Sequence, residues 1–490
     1  MKAQTRLLFF LFFLALVGCG SQENGTANSE TGTTTNAAAT PSSPAATPEP
    51  PTQVPSPTTI VLAEPATATL VSTSTPGITL TPTLTATAAL TVTTTVTGTV
   101  TITATATQRP ATATPTQTIT GTVAAATPAA TTLPAPPAGS VGLPPDYPGA
   151  CAPYPCNDDA AGWESRIQVP TGFTVTYYGI LTAKHPTSIA FGPDGLLYIA
   201  TMEGAIYRLD NGGNVSTYAT GFTIPTGIAF QPGTGNLYVS SRAINQDVGG
   251  ESKISVIRTD GSVNTIITGL PCCYTSYHAA NGIAFGPDGF GYVTVGGRAD
   301  HGEILEGPNA GQQDERHPLE ASILRFSPDG GFVETYARGF RNSYDLAWDG
   351  NGTLYASDNA PDFGPPEEFH RVIPGGEHGY PWFDCDVCFQ PPAGTTVIPP
   401  TYQFVAHSSP TGVASYLDNA IPGYYNSLFV TLWSAFPGAQ KVMRLTPGGG
   451  SAVNFATGFA APIDVTVSAD GSIFVADWAT GIIIRLTYTG

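Results

Sequence analysis

Three polar side chains stand at matching offsets from the starts of apolar strands, and together they could move a proton and hold an anion. His278 lies five residues ahead of Ile283 in "SYHAANGIAFGPDGFGYVTVGGRADHG". Arg341 lies five residues ahead of Leu346 in "YARGFRNSYDLAW", with Asn342 beside it. Lys184 and His185 take the same two places before Ile189 in "KHPTSIAF". A neutral imidazole near pH 7 can accept the proton of a hydroxyl within hydrogen-bond reach. A guanidinium grips a carboxylate through two parallel hydrogen bonds, and an ammonium does so as a point charge. At the same offset the other units carry Thr223, Ser408 and Ala460, so the chemistry gathers on one part of the repeat. Each candidate also has a plainer reading. A lone histidine in a turn is often only hydrogen-bonded locally, which suits His185 best. Arg341 can pair with an acidic residue of the segment 358–388, a surface contact of little energy. Trp382, Trp433 and Trp478 read as packing residues rather than substrate platforms.

The offsets match because the sequence repeats. Each unit runs apolar strand, Gly-containing corner, apolar strand, tight turn, apolar strand. The corners read "YATGFTIPTGIAF", "IITGLPCC", "YARGFRNSYDLAW" and "FATGFAAPIDVTV", with weaker forms "YGILTAKHPTSIAF" and "FVAHSSPTGVASY". Six such units predict an all-β fold, a six-bladed β-propeller. The strand "FTVTYY" (173–178) would complete the last blade beside "GIIIRLTY" and close the ring. If the innermost strands all run the same way, every loop entering one lies on a common top face. The turns "GPDG", "RTDG", "SPDG" and "SADG" then fall on the bottom, where Asp and Gly supply tight-turn geometry. Two long segments, 296–321 and 358–388, are expected as top loops walling a cleft. Loops of that length are usually functional. A base, a cation and an amide converging in a cleft are the ingredients of an active site.

The rest of the 490-residue chain has a different character. Lys2 and Arg6 precede the apolar run "LLFFLFFLALVG" and then Cys19. This pattern predicts a lipoprotein signal peptide over 1–18 with lipid on Cys19, and hence an exported protein anchored to the cell membrane. Residues 19–149 are rich in Thr, Pro, Ala and Ser, with few charges and almost no aromatics. Such a segment buries too little apolar area to fold and reads as a disordered tether, ~60–70 Å in span as a coil and up to ~400 Å extended. The propeller then occupies 150–490. The net charge of −18 speaks against a nucleic-acid partner. Apart from Cys19, the cysteines cluster in sequence as Cys151 with Cys156, Cys272 with Cys273, and Cys385 with Cys388. In an exported chain, local disulfides 151–156 and 385–388 are expected. Cys272 and Cys273 would need a vicinal bridge or other partners. "CDVC" as half a zinc site lacks a second C-x-x-C.

Around His278 and Arg341 the sequence resembles a known family, the soluble pyrroloquinoline-quinone (PQQ) glucose/sorbosone dehydrogenases. The motifs that carry the resemblance are "HAANGIAFGPDGFGYVTVGG", "ILRFSPDG", "YARGFRNSYDLAWDGNGTLYASDNAPD", "IPGGEHGYPW" and "AHSSPTGVASY", with "SLFVTLW" and "KVMRL" farther on. The resemblance implies a PQQ- and calcium-dependent dehydrogenase acting on a sugar or aldehyde, with an external electron acceptor. It implies His278 as general base on the anomeric hydroxyl. It places Arg341, Asn342, Lys184 and Lys441 around the cofactor, and calcium on the backbone carbonyls of Ala360 and Pro361. The sequence departs from the family at Tyr277, where the glucose enzymes carry an acid, and at Ser343, where a proline is usual. It departs again at Ala360 for glycine, at Ala460 and Ala461 where the last blade usually offers arginine, and in a shorter second blade.

Three functions are compatible with these residues. The first is the PQQ dehydrogenase. The second is a non-catalytic propeller that binds a glycan or protein through its top face. The third is a lactonase-type metal hydrolase, for which Asp358, Asp362, Glu367 and Asp464 are candidate ligands.

Overall fold

The structure, a computed structural model, describes residues 151, 153–246, 248–274, 278–362, 364–382 and 388–490. All lie in the compact unit Thr118–Gly490. The expected signal peptide, Cys19 and the tether lie outside the described residues, as do Tyr277 and Cys385.

Six four-stranded antiparallel sheets form the six expected blades. Blade one comprises β2 (Pro186–Phe191), β3 (Leu197–Thr201), β4 (Ala205–Leu209) and β5 (Val215–Thr220). Blade two comprises β6 (Thr223–Phe230), β7 (Leu237–Ile244), β8 (Glu251–Ile257) and β9 (Val263–Pro271). Blade three comprises β10 (Ala280–Phe285), β11 (Gly291–Val295), β12 (Ser322–Phe326) and β13 (Val333–Arg338). Blade four comprises β14 (Leu346–Trp348), β15 (Leu354–Asp358), β16 (Glu367–Arg371) and β17 (Tyr402–Phe404). Blade five comprises β18 (Pro410–Ser415), β19 (Leu428–Leu432), β20 (Lys441–Leu445) and β21 (Ala452–Thr457). Blade six comprises β22 (Pro462–Val467), β23 (Ile473–Asp477), β24 (Ile482–Tyr488) and the N-terminal β1 (Phe173–Ile180). β1 pairs with β24 from Phe173 opposite Tyr488 to Ile180 opposite Ile482, which closes the ring.

The innermost strands touch in ring order, β2 to β6, β10, β14, β18, β22 and back to β2. The second strands β3, β11, β15, β19 and β23 are buried along their whole length, because neighbouring blades cover both faces. This is why they read as continuous apolar runs rather than alternating ones. The bottom turns behave as expected. In "GPDG", Asp194 and Asp288 accept hydrogen bonds from Tyr198 and Tyr292, each at 2.9 Å. Near the axis, buried Tyr344 of blade four donates its hydroxyl to Thr187 O of blade one at 3.0 Å. Blades one and four are opposite in the ring, so this side chain crosses the channel. Farther along the same strands lies a space of about 360 Å³ lined by the inner strands, Asp345 and Asp464.

One expectation is corrected. Segment 358–388 is not a single top loop, because β16 lies inside it. The top loop after β15 is therefore only 359–366. The remaining segment leaves the bottom end of β16 and climbs beside β13. Gly375 N donates to Tyr336 O, His378 N to Arg338 O, and Tyr380 N to Gly339 O. It thus reaches the top face from outside the ring. At the N-terminus, the Cys151–Cys156 disulfide and helix α1 (Ala160–Arg166) pack on blades five and six. Cys272 and Cys273 are bonded to each other across a cis peptide.

Candidate active site

The corners ahead of the inner strands are held at a common height by one recurrent bond. In five of the six blades the amide after the second strand donates to a corner carbonyl: Met202 to His185, Gly296 to Ala279, Asn359 to Asn342, Trp433 to Ser409, and Trp478 to Ala461. In blades four and six an aspartate adds a clamp. Asp358, ending β15, accepts from Arg341 N at 2.9 Å and Asn342 N at 2.8 Å. Asp477, ending β23, accepts from Ala460 N and Ala461 N, both at 2.8 Å. Both carboxylates are wholly buried, and burial raises the pKa of each.

His278 is 4% exposed, and its Nδ1 lies 3.1 Å from Gly297 O. A carbonyl can only accept, so Nδ1 carries the ring proton and Nε2 keeps its lone pair. Burial first, and then the charge of Arg341, hold its pKa well below 6.5. The imidazole is thus neutral, with one nitrogen ready to take a proton. Gly296 and Gly297 make this contact possible. A Cβ on Gly296 would meet Asn342 Oδ1 at 2.8 Å, and one on Gly297 would meet the Tyr380 ring at 2.8 Å. Gly297 N also donates to Arg341 O at 2.7 Å, so the pair ties the histidine corner to the arginine corner.

Arg341 is 4% exposed and fully engaged. It donates to Asp300 O at 2.8 Å, Asp300 Oδ1 at 2.6 Å, Asn359 O at 3.3 Å and Asp362 Oδ1 at 3.3 Å. Burial disfavours its charge, but Asp300 and Asp362 outweigh that and raise its pKa. The guanidinium is therefore rigid and already neutralised by protein carboxylates. Asn342 is buried, and its Oδ1 accepts from Asn281 Nδ2 at 3.0 Å.

Lys184 and Lys441 stand in other parts of the ring, at the corner of blade one and the start of β20. Both are half-buried, and among the described residues neither has a carboxylate partner. Burial lowers the pKa of Lys441. Ala360 and Pro361 are buried beside the arginine corner, and no described donor reaches either carbonyl oxygen. Those two oxygens are therefore available to a hard cation, and the residues present fit calcium. Ala460 and Ala461 are fully buried in one cluster with Tyr154 and Trp163, so these two positions supply no cation. Arg166 of α1 is spent on Gly458 O of the same corner at 2.8 Å.

The structure brings His278, Arg341 and Asn342 together and leaves Lys184 and Lys441 apart from them. The hydrolase candidates do not converge on the axis. Asp358 clamps a corner, Asp362 holds Arg341, Glu367 accepts Ala360 N at 2.8 Å, and Asp464 accepts Ile189 N at 2.7 Å. Sequence reasoning missed Asp300 and Gly297. Asp300 lies in the quoted loop "GGRADHG", but only the fold reveals its bond to a residue far along the chain. The repeat did offer one signal. Asp358 and Asp477 hold the same place in their units.

Comparison with known proteins agrees with the six-bladed fold. Residues 183–485 match the family model described as Glucose / Sorbosone dehydrogenase. An uncharacterised protein of Borreliella burgdorferi is 25% identical over 363 residues, 66% of this chain and 91% of that one. The apo structure of the soluble aldose sugar dehydrogenase from Escherichia coli is similar with a TM-score of 0.52 at 17% identity. It covers 64% of this chain and 99% of that one. The holo PQQ domain of pyranose dehydrogenase from Coprinopsis cinerea is similar with a TM-score of 0.50 at 16% identity, over 66% and 97%. The matched span holds the histidine corner, the arginine corner and all the inner strands, and the chain belongs to the glucose/sorbosone dehydrogenase family.

Proposed function

We propose that this chain is an exported, lipid-anchored dehydrogenase that oxidises an aldose or a related aldehyde, with PQQ as hydride acceptor. The observation that carries the reading is the tautomer of His278: Nδ1 is spent on Gly297 O, and Nε2 is basic in a buried corner. Family membership supports a dehydrogenase, and the PQQ named in the pyranose dehydrogenase domain supports the quinone. A bound quinone would supply a two-electron hydride acceptor, and calcium held by the backbone carbonyls of Ala360 and Pro361 would supply Lewis-acid polarisation. The protein's own residues do the rest. His278 Nε2 takes the hydroxyl proton of the substrate as the carbon–hydrogen bond breaks, so the C–OH becomes a carbonyl. Asp300 keeps Arg341 charged and fixed beside the site. Lys184 and Lys441, free of carboxylates among the described residues, attract the carboxylates of the cofactor. The leader ending at Cys19 and the Thr-rich segment after it support an anchor with long reach.

The buried alanine corner of blade six favours a second reading, a propeller that binds a glycan without catalysis. One experiment separates them. The full chain is mixed with PQQ and calcium, and cofactor absorption and dye reduction are followed over a panel of aldoses and aldehydes. Calcium-dependent binding with turnover is expected. A folded protein that binds no PQQ would leave the glycan-binding propeller.

A further inference from the structure

Beneath the arginine corner, three buried metal-ligating side chains meet on one face of blade four. Asp358 lies opposite Glu368 in the β15–β16 pair, and His370 lies two residues along β16. Residues two apart on a strand share a face, so all three point to the same side. One ligand atom of each lies within 4.8 Å of the others. Their exposures are 0%, 7% and 0%. Glu368 Oε2 is 3.1 Å from His370 Nε2.

Two carboxylates in one buried space call for a positive charge between them. Both oxygens of Asp358 already accept amide protons, and among the described residues no lysine or arginine pairs with Glu368. A shared proton would need only two oxygens. Here an imidazole nitrogen completes a triangle, and its other nitrogen, Nδ1, lies 3.3 Å from His378 Nδ1. Without metal, Ile373 N donates to His378 Nε2, so His378 Nδ1 donates to His370 Nδ1 and His370 Nε2 donates to Glu368. A metal-bound His370 would reverse that chain and keep His378 as its outer partner. Phe340 walls the cluster, with ring centroids 5.4 Å from His370 and 4.7 Å from His378.

We propose that Asp358, Glu368 and His370 bind one zinc ion under the Arg341–Asn342 corner. The mixed oxygen and nitrogen donor set suits zinc, and its charge balances the two carboxylates. It is distinct from the oxygen-only calcium position on Ala360 and Pro361, and it does not depend on the quinone reading. Binding displaces the proton otherwise held on Glu368. His370 then ligates through Nε2 and donates from Nδ1 to His378 Nδ1. His378 carries its own proton on Nε2, and the contact from Ile373 N, 3.3 Å long, gives way.

The full chain is produced in zinc-supplemented medium, dialysed against metal-poor buffer containing calcium, and assayed for metal by mass spectrometry. About one zinc per chain is expected to remain. Glu368→Gln and His370→Asn should each lower that content at least about tenfold, and His378→Phe should weaken retention by about 10–100-fold. Because a buried variant can fail to fold, the wild type is also refolded with zinc or with chelator. Zinc should raise its unfolding midpoint. The proposal is overturned if the wild type holds no zinc by either route, which leaves a proton between the carboxylates. It is also overturned if zinc persists in both ligand variants, which puts the ion elsewhere.

Discussion

His278 derives its chemistry from two contacts, one covalently remote and one electrostatic. Gly297 O selects the tautomer, and burial with the Arg341 charge lowers the pKa well below 6.5. The sign follows directly. The basic form exists above the folded-state pKa, so kcat/KM should show no inflection at 6.5 and should fall only at distinctly lower pH. A pH–rate profile with an acid limb centred at or above 6.5 would remove this histidine as the base. Gly297→Ala tests the support. Its Cβ would press on the Tyr380 ring, displace the carbonyl that holds Nδ1, and lower kcat on the order of 10²-fold through misplacement. Unchanged turnover in that variant would show the contact to be dispensable. At this scale the sequence was informative wherever an offset could be counted. His278, Arg341 and Asn342 stand at matching places in their units. Asp300 and Gly297 act through contacts between distant parts of the chain, and no local pattern marks them.

Strand ends, rather than loops, set the two corners. Asp358 takes the amides of Arg341 and Asn342 on separate oxygens, so an asparagine there would turn an N–H₂ toward one of them. Asp477 takes both alanine amides on Oδ2 and Thr480 N on Oδ1, so an asparagine there would turn an N–H₂ toward Thr480 N or toward the alanine pair. Asp358→Asn and Asp477→Asn should each cost about 1–3 kcal/mol, read from chemical unfolding. Only Asp358→Asn should also lower turnover, because only that clamp lies under Arg341 and Asn342. Equal losses of activity in the two variants would contradict the assignment. Most strands were legible from apolar runs and Asp-Gly turns. β16 was not, because "EEFHR" carries two acids and a histidine that are nonetheless buried. A strand of ionisable residues lacks the apolar alternation that marks a strand from sequence. Missing it merged a short top loop with a segment that climbs from the bottom.

Across the whole propeller, closure rests on β1 and β24, which come from opposite ends of the domain and share one sheet. Deleting 482–490 should therefore abolish cooperative unfolding, whereas Cys151→Ser with Cys156→Ser should cost only about 2 kcal/mol for so short a loop. Thermal melts of the two variants check this. A truncated chain that still unfolds cooperatively would mean the ring does not need its clasp. The ring was legible because six units repeat and the first strand matches the last blade. The covered corner of blade six was not, since Ala460 and Ala461 are buried by a separate N-terminal segment. The central claim is oxidation by a quinone enzyme with His278 as its base. The most direct measurement compares wild type and His278→Ala, both loaded with PQQ and calcium, for cofactor binding and sugar-dependent dye reduction. The account predicts equal binding and a turnover lower by about 10²–10⁴-fold in the variant. Undiminished turnover in His278→Ala, or a folded wild type that binds no PQQ, would contradict it.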